Sequence, residues 1–356
     1  MKNCPRDKIY NPLTERCINI NGATYKKLVS LKIIKSDNKK CPENKILNTK
    51  TNRCVSIDSN IGKKIILKYK FLDWEKNSCY IDSLFLVLFH SKNKFVKNEI
   101  LKARINDHGN SKLKEIGKKI KIELIKIYKR ENVNTCTNIR KLFENYYKLL
   151  KIIKPKFKLI SSNDNWISSQ LDVFELLELL TTIFKIKNTT KIIDANNPPF
   201  YSNFVNMVPI DFLMTDQLHI ENIYPSYETT YKLSDADAYI DSYGIKHTTY
   251  IKKTEILKAP YLMIRISRNF AGVKSRVKVI PPVFLKLKEN KSKLYLSSMI
   301  IHYGTNKSGH YISLIKIDDI WYEYDDLINK FKEIGTLKDI IANSNYTRGI
   351  VGLIYE

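Results

Sequence analysis

The chain has no run of eighteen apolar residues, and its opening stretch, MKNCPRDK, is polar where a secretory leader is apolar. A spanning helix and a cleaved leader are not expected, which leaves a soluble, non-secreted protein. Acidic side chains are in short supply: 36 Asp and Glu stand against 61 Lys and Arg, for a formal charge of +25 and an isoelectric point near 9.6. That balance suits nucleic acid or a membrane surface. The lysines, however, alternate with Ile, Asn and Tyr along the whole length instead of clustering, so neither partner is expected. An A- and T-rich coding sequence fills solvated surface in the same way. Cysteine is sparse as well, and none follows Cys136. What is present in quantity is apolar side chain, 43% of 356 residues, enough for one large globular domain with appendages.

Four of the six cysteines form two equally spaced pairs. CPRDKIYNPLTERC at 4–17 and CPENKILNTKTNRC at 41–54 share the frame C-P-x-x-K-I-x-N-x-x-T-x-R-C, which marks a duplication. Each unit is turn-rich and closed by thiols, as a loop clamped by a disulfide or a shared ion would be. Zinc fits less well, because one pair supplies two of four ligands and no histidine is near. Reduced thiols on two loop-like modules are the plain alternative for an intracellular protein. YKKLVSLKIIK between the repeats reads as a short helix, and SIDSNIGKK at 56–64 as a domain boundary, giving units at 1–60 and 65–356.

Beyond the boundary the periodicity is helical first. Leu113, Ile116, Ile120, Leu124 and Ile127 define an amphipathic helix, and Leu142–Ile152 and Leu171–Phe184 read as two more. After DANNPPF the texture turns to alternating Tyr, Thr, Ile and Val, the pattern of strands. Helices followed by strands predict an α+β domain.

NSCYIDSLFLVLFH at 77–90 places a thiol, a hydroxyl and a carboxylate at the start of an apolar helix. Ile81, Leu84, Phe85, Leu88 and Phe89 share one helical face, so Cys79 lies in the first turn. Asn77 or Ser78 is positioned as the cap, and the positive end of the helix dipole favours a thiolate there. A buried, inert cysteine is the commoner outcome for a lone thiol. A base is found in SGHYISLIKIDDIWYEYDD at 308–326, which reads as two strands turning at Asp318 and Asp319. In that register Ile317 faces Ile320, Ser313 faces Tyr324 and Ile312 faces Asp325. His310, two residues before Ile312, is then a diagonal neighbour of Asp325, while Asp326 points to the other face. A one-residue slip reverses that choice. A strand histidine that merely packs and a solvated acid are the alternatives.

These residues resemble the ubiquitin-specific proteases, papain-like deubiquitinating enzymes. NSCYIDSLFLVLF resembles the family's Cys box, with wording closer to the cylindromatosis-type branch. QLDVFELLELL at 170–180 resembles its Gln-Asp box, YLMIRISRNF with Lys274, Val279 and Pro281 a later block, and MIIHYGTNKSGHYISLIKIDDIWYEYDD its His box. Four blocks in order over about residues 69–356 are far more specific than any one of them. The resemblance implies a helical thumb, a β-rich palm and fingers, with the tail of ubiquitin between thumb and palm. It implies Cys79 as nucleophile, His310 as general base and Asp325 as the group orienting the imidazole. Gln170, Asp172 and Glu175 would face ubiquitin's basic tail, although spacing alone makes the two acids a solvated helix face. Gly309 and Tyr311 would line the glycine channel, and His302 matches a supporting histidine. Trp74 stands where many members carry an oxyanion-hole Asn, leaving the Asn77 side chain and the Cys79 amide as donors. With no cysteine after Cys136, the zinc of the fingers is not expected and the fingers should be reduced; no cofactor is implied. The two-cysteine repeat resembles an adaptor repeat of large DNA virus proteins, implying a docking partner and action in host cytoplasm or virion. Ubiquitin or ubiquitinated protein is the expected partner; another ubiquitin-like modifier, or binding without cleavage, is the alternative.

Overall fold

The computed structural model describes residues 8–11, 16–19, 22–24, 45–48, 51, 53–56, 59, 61–62, 71–90, 95–129, 135–155, 157, 159, 171–194, 197–202, 205–207, 217–220, 226–232, 239–240, 246–247, 249–257, 260–270, 273–286, 293–305, 308–317 and 319–356. Cys4, Cys41, Gln170, Asp318 and the helix expected between the repeats lie outside these residues. The chain divides into two compact units, Met1–Tyr69 and Lys70–Glu356.

In the first unit the duplication is structural as well as verbal. Strands β1 (Lys8–Asn11) and β2 (Arg16–Asn19) form one hairpin, and β3 (Lys45–Asn48) and β4 (Arg53–Ser56) a second. Both use the same register: Tyr10 opposes Cys17, and Leu47 opposes Cys54. Cys17 and Cys54 are each disulfide-bonded. A pair of strands this short has almost no core of its own, so a covalent closure is the physical requirement.

Helices open the second unit: α1 (Cys79–His90), α2 (Phe95–Lys102), α3 (Ser111–Lys129), α4 (Thr137–Ile153) and α5 (Val173–Ile183). On α3, Leu113, Ile120, Leu124 and Ile127 are buried while Lys112, Lys114, Lys118 and Lys119 are exposed, as a 3.6-residue period requires. Helix α4 starts upstream of the expected Leu142, and its inner face includes a fully buried Arg140. The one-faced reading of α1 is too modest. Every side chain from Ser78 to Phe89 is buried, because α1 is wedged between α5 and the main sheet. Its Leu, Ile and Phe side chains each contribute roughly 1.5–3 kcal/mol by leaving water. Polar groups on such a helix have no solvent to face, so Ser78, Asp82 and Ser83 must find protein partners.

The strands of the second half begin with β5 (Thr190–Asp194), β6 (Asn197–Ser202), β7 (Val205–Met207), β8 (Ser226–Lys232), β9 (Thr249–Ile256) and β10 (Leu262–Ile266). They continue with β11 (Phe284–Lys286), β12 (Lys293–Gly304), β13 (Gly309–Ile317), β14 (Ile320–Asp325), β15 (Lys330–Gly335) and β16 (Ile350–Tyr355). Strands β5, β6, β8 and β9 form a four-stranded antiparallel sheet, ordered β6-β5-β9-β8. The main sheet runs β15-β14-β13-β12-β16-β10-β7 with β11 on β12, antiparallel except for β10 and β7. Its core gathers Ile264, Met299, Ile301, Leu314, Trp321 and Leu353. Strands β13 and β14 pair Ile317 with Ile320 and Ser313 with Tyr324, the register of a two-residue turn. Two short helices not anticipated by the strand pattern, α6 (Leu337–Ala342) and α7 (Ser344–Gly349), interrupt it; Thr336 and Asp339 form a capping box and Asn343 caps the second. Among the described residues no helix is long and apolar enough to cross a membrane.

Candidate active site

Cys79 is the first residue of α1, with the helix started by the Ser78 carbonyl, which accepts from the Ile81 and Asp82 amides at 2.9 and 3.0 Å. The Ser78 hydroxyl accepts from the Glu75 amide and donates to Asp82 Oδ2, so it joins the preceding loop to the helix instead of capping a helix amide. Ahead of it Lys76 and Asn77 adopt left-handed backbone, with φ of 47° and 62°. For a residue other than glycine that conformation costs about 1–2 kcal/mol, least for Asn. Arg140 of α4 donates to the carbonyls of Glu75 and Lys76 at 2.9 and 2.8 Å, and Thr137 donates to the Glu75 carboxylate. Those bonds repay the strain. Asn77 and Trp74 are both exposed at the entrance of the loop.

The helix dipole does not decide the resting state of the thiol. Cys79 is 3% exposed, and burial pushes its thiol up to about 12, with Asp326 and Asp82 adding to the rise against the amides of Tyr311 and Tyr80. Desolvation of a charge outweighs the half-charge of a helix end when water is absent. The thiol is therefore neutral until a base takes its proton.

An imidazole is one residue from the thiol's neighbour. The backbone amide of Tyr311 bonds the Cys79 sulfur, and His310 immediately precedes it on β13. A second tie, from Ser313 Oγ to the Ser83 carbonyl at 3.0 Å, fixes β13 against α1. His310 Nε2 is 2.9 Å from Asp325 Oδ1, which leaves Nδ1 for a reaction partner. Asp326 does not point to the other face as strand alternation predicted: its Oδ1 lies 3.5 Å from the same Nε2. Strand β14 ends at Asp325 and a turn begins at Asp326, so alternation has stopped at that residue.

Asp326 and Asp82 are both buried, and Asp82 Oδ1 and the two Asp326 oxygens have no well-aligned hydrogen-bond donor. Burial, then the charge on Asp82, pushes Asp326 far above the ordinary carboxylate range; burial also raises Asp82, against bonds from Cys136, Ser78 and Asp326. Both carboxyls therefore favour the protonated form more than an exposed acid does, Asp326 the more strongly. His310, Asp325 and Asp326 form the one group of metal-type ligand atoms found among the described residues, within 4.8 Å of one another. The imidazole nitrogen there is already bonded to Asp325.

The other expected residues separate. Asp172 caps α5 through the Phe174 amide at 2.7 Å and pairs with Arg265 at 2.9 Å. Its field reaches His302 and Tyr311. Glu175 is buried, which corrects the picture of a solvated acidic face. The side chain missing from Gly309 has an internal reason: a Cβ there would overlap His302 Nε2 and the Tyr303 carbonyl. Tyr311 is buried with its ring 4.5 Å from that of His302. His302 faces Lys274 Nζ through Nδ1 at 3.0 Å and is pushed down to about 4 by burial and then by Lys274, so it stays neutral. Arg140 and Asp326 escaped sequence reasoning as parts of one site. A lone charge at an inward helical position and the second Asp of a pair were their only signals.

The sequence model of the ubiquitin carboxyl-terminal hydrolase family matches residues 74–340, well over half of the chain. None of the curated proteins matches. The matched span contains the thiol, the imidazole and both carboxylates on one α+β scaffold, and the chain belongs to the ubiquitin carboxyl-terminal hydrolase family, deubiquitinating cysteine proteases of papain-like fold.

Proposed function

We propose that Cys79, His310 and Asp325 form the triad with which the second unit hydrolyses the isopeptide bond after the C-terminal glycine of ubiquitin. The observation that carries this is that the Tyr311 amide bonds the Cys79 sulfur while His310, the residue before it on β13, holds Asp325 Oδ1 through Nε2 at 2.9 Å. His310 takes the thiol proton as sulfur attacks the glycine carbonyl, and returns it to the leaving lysine amine. Water, deprotonated by the same imidazole, then hydrolyses the thioester. Asp325 holds the ring so that Nδ1 meets the thiol. The Asn77 side chain and the Cys79 amide serve the oxyanion, with Asp172, Glu175, Gln170, Gly309 and Tyr311 as the tail-binding set. Disulfide-closed hairpins at the N-terminus suit docking to another protein; a viral source and a host-cell or virion setting rest on the repeat's resemblance alone.

Trp74 and the neutral, buried thiol favour a second reading, a ubiquitin binder with weak catalysis. Ubiquitin carrying a thiol-reactive C-terminus separates the two. The expected outcome is one covalent adduct with the wild type and none with Cys79→Ala. Labelling that persists in the variant moves the nucleophile elsewhere, and a wild type that binds the probe without reacting leaves only the binder. The same probe made on other modifiers with a Gly-Gly end reads out which modifier is preferred.

A further inference from the structure

Taking Cys79 as the nucleophile, we infer that Arg140 is a positioning residue for the reaction: its guanidinium holds the left-handed Glu75–Ser78 loop in the shape that presents the oxyanion donors. Three observations meet there. Arg140 is fully buried on α4, yet its guanidinium nitrogens bond two consecutive carbonyls, Glu75 O at 2.9 Å and Lys76 O at 2.8 Å. Those carbonyls belong to the turn in which Lys76 and Asn77 take φ of 47° and 62°, immediately before the nucleophile. And the place where the family resemblance expects an oxyanion Asn holds Trp74, 43% exposed.

Peptide planarity connects them. In a trans peptide the C=O and N–H point in opposite directions. With the Glu75 and Lys76 carbonyls drawn to Arg140, the N–H groups of Lys76 and Asn77 are turned away from it, and the Asn77 side chain leaves the loop on its exposed side. Backbone N–H groups on successive residues in such turns make anion-binding concavities. Arg140 also stacks 5.8 Å from the Tyr80 ring and lies on the helix whose Thr137 holds Glu75. The clamp therefore fixes the Glu75–Lys76 half of the loop from the side of α4. An Arg is needed because only a planar fork reaches two carbonyls at once; a Lys ammonium is a point charge.

The test uses the full chain with Arg140→Lys and Arg140→Gln, first confirmed as folded by near-UV circular dichroism. The expected result on a fluorogenic ubiquitin substrate is a fall in kcat of about tenfold or more, below the full 10²–10³ of a lost oxyanion donor, with KM within about twofold. Alkylation of Cys79 by iodoacetamide develops no oxyanion, so its rate should stay at the wild-type value in both variants. Unchanged kcat, or a parallel loss of kcat and alkylation, overturns the positioning role. Failure of both variants to fold overturns it too, since Arg140 would then be a requirement of the fold. A wild type inert to ubiquitin substrates sinks the triad reading instead, an outcome distinct from an active wild type matched by Arg140→Lys.

Discussion

Beneath the imidazole, two carboxyls share a space with room for one charge. Asp82 and Asp326 sit among Cys79, Tyr80, Cys136, Arg140, Tyr324, His310 and Asp325, and both are raised by burial. Between the ordinary carboxylate range and their raised values the native state holds protons that the unfolded chain has released. Stability therefore falls as pH rises through that window, and is fully present below it. Asp82→Asn removes one charge and keeps a hydrogen-bonding group, so its thermal midpoint should decline less between pH 5 and pH 9, by a few degrees at about 2–4 °C per kcal/mol. Parallel midpoint curves for wild type and variant would mean that the two carboxyls do not raise one another.

At the scale of elements, the acid that starts α5 is held on two sides. Asp172 makes both the cap to Phe174 and the ion pair to Arg265, with its side chain 36% exposed. Asp172→Ala should destabilise the protein by about 1 kcal/mol through the lost cap, read from urea unfolding. Asp172→Asn keeps a capping oxygen and gives up only the part-exposed ion pair to Arg265, about 0–1 kcal/mol, so most of the stability should remain while KM for a ubiquitin substrate rises if the carboxylate meets the basic tail. A variant with wild-type KM would confine Asp172 to the cap. The hairpin of β13 and β14 shows how far local pattern reaches: apolar alternation and turn length sufficed to put His310 beside Asp325. They failed one residue later, because Asp326 belongs to a turn whose course is set by Asn329, bonded to Tyr324 and Asp73.

Across the whole molecule the division near residue 69 separates a duplicated, disulfide-closed module from the unit that holds the reactive groups. Removing residues 1–69 should leave turnover of a small ubiquitin reporter within about twofold, since Cys79, His310 and Asp325 and the core around them all lie in the second unit. A collapse of activity or solubility would make the hairpins part of the catalytic fold. By itself the sequence determined the repeat, the order of helices and strands, the thiol at a helix start and the register that pairs imidazole with carboxylate, because these depend on period, turn length and neighbours within a few residues. Only the tertiary structure decided that α1 is buried on every side, that burial keeps the Cys79 thiol neutral, that Arg140 grips the loop before it and that Asp326 joins Asp82. Each of those depends on which distant side chains exclude water from a charge, and desolvation has no signature in a local pattern.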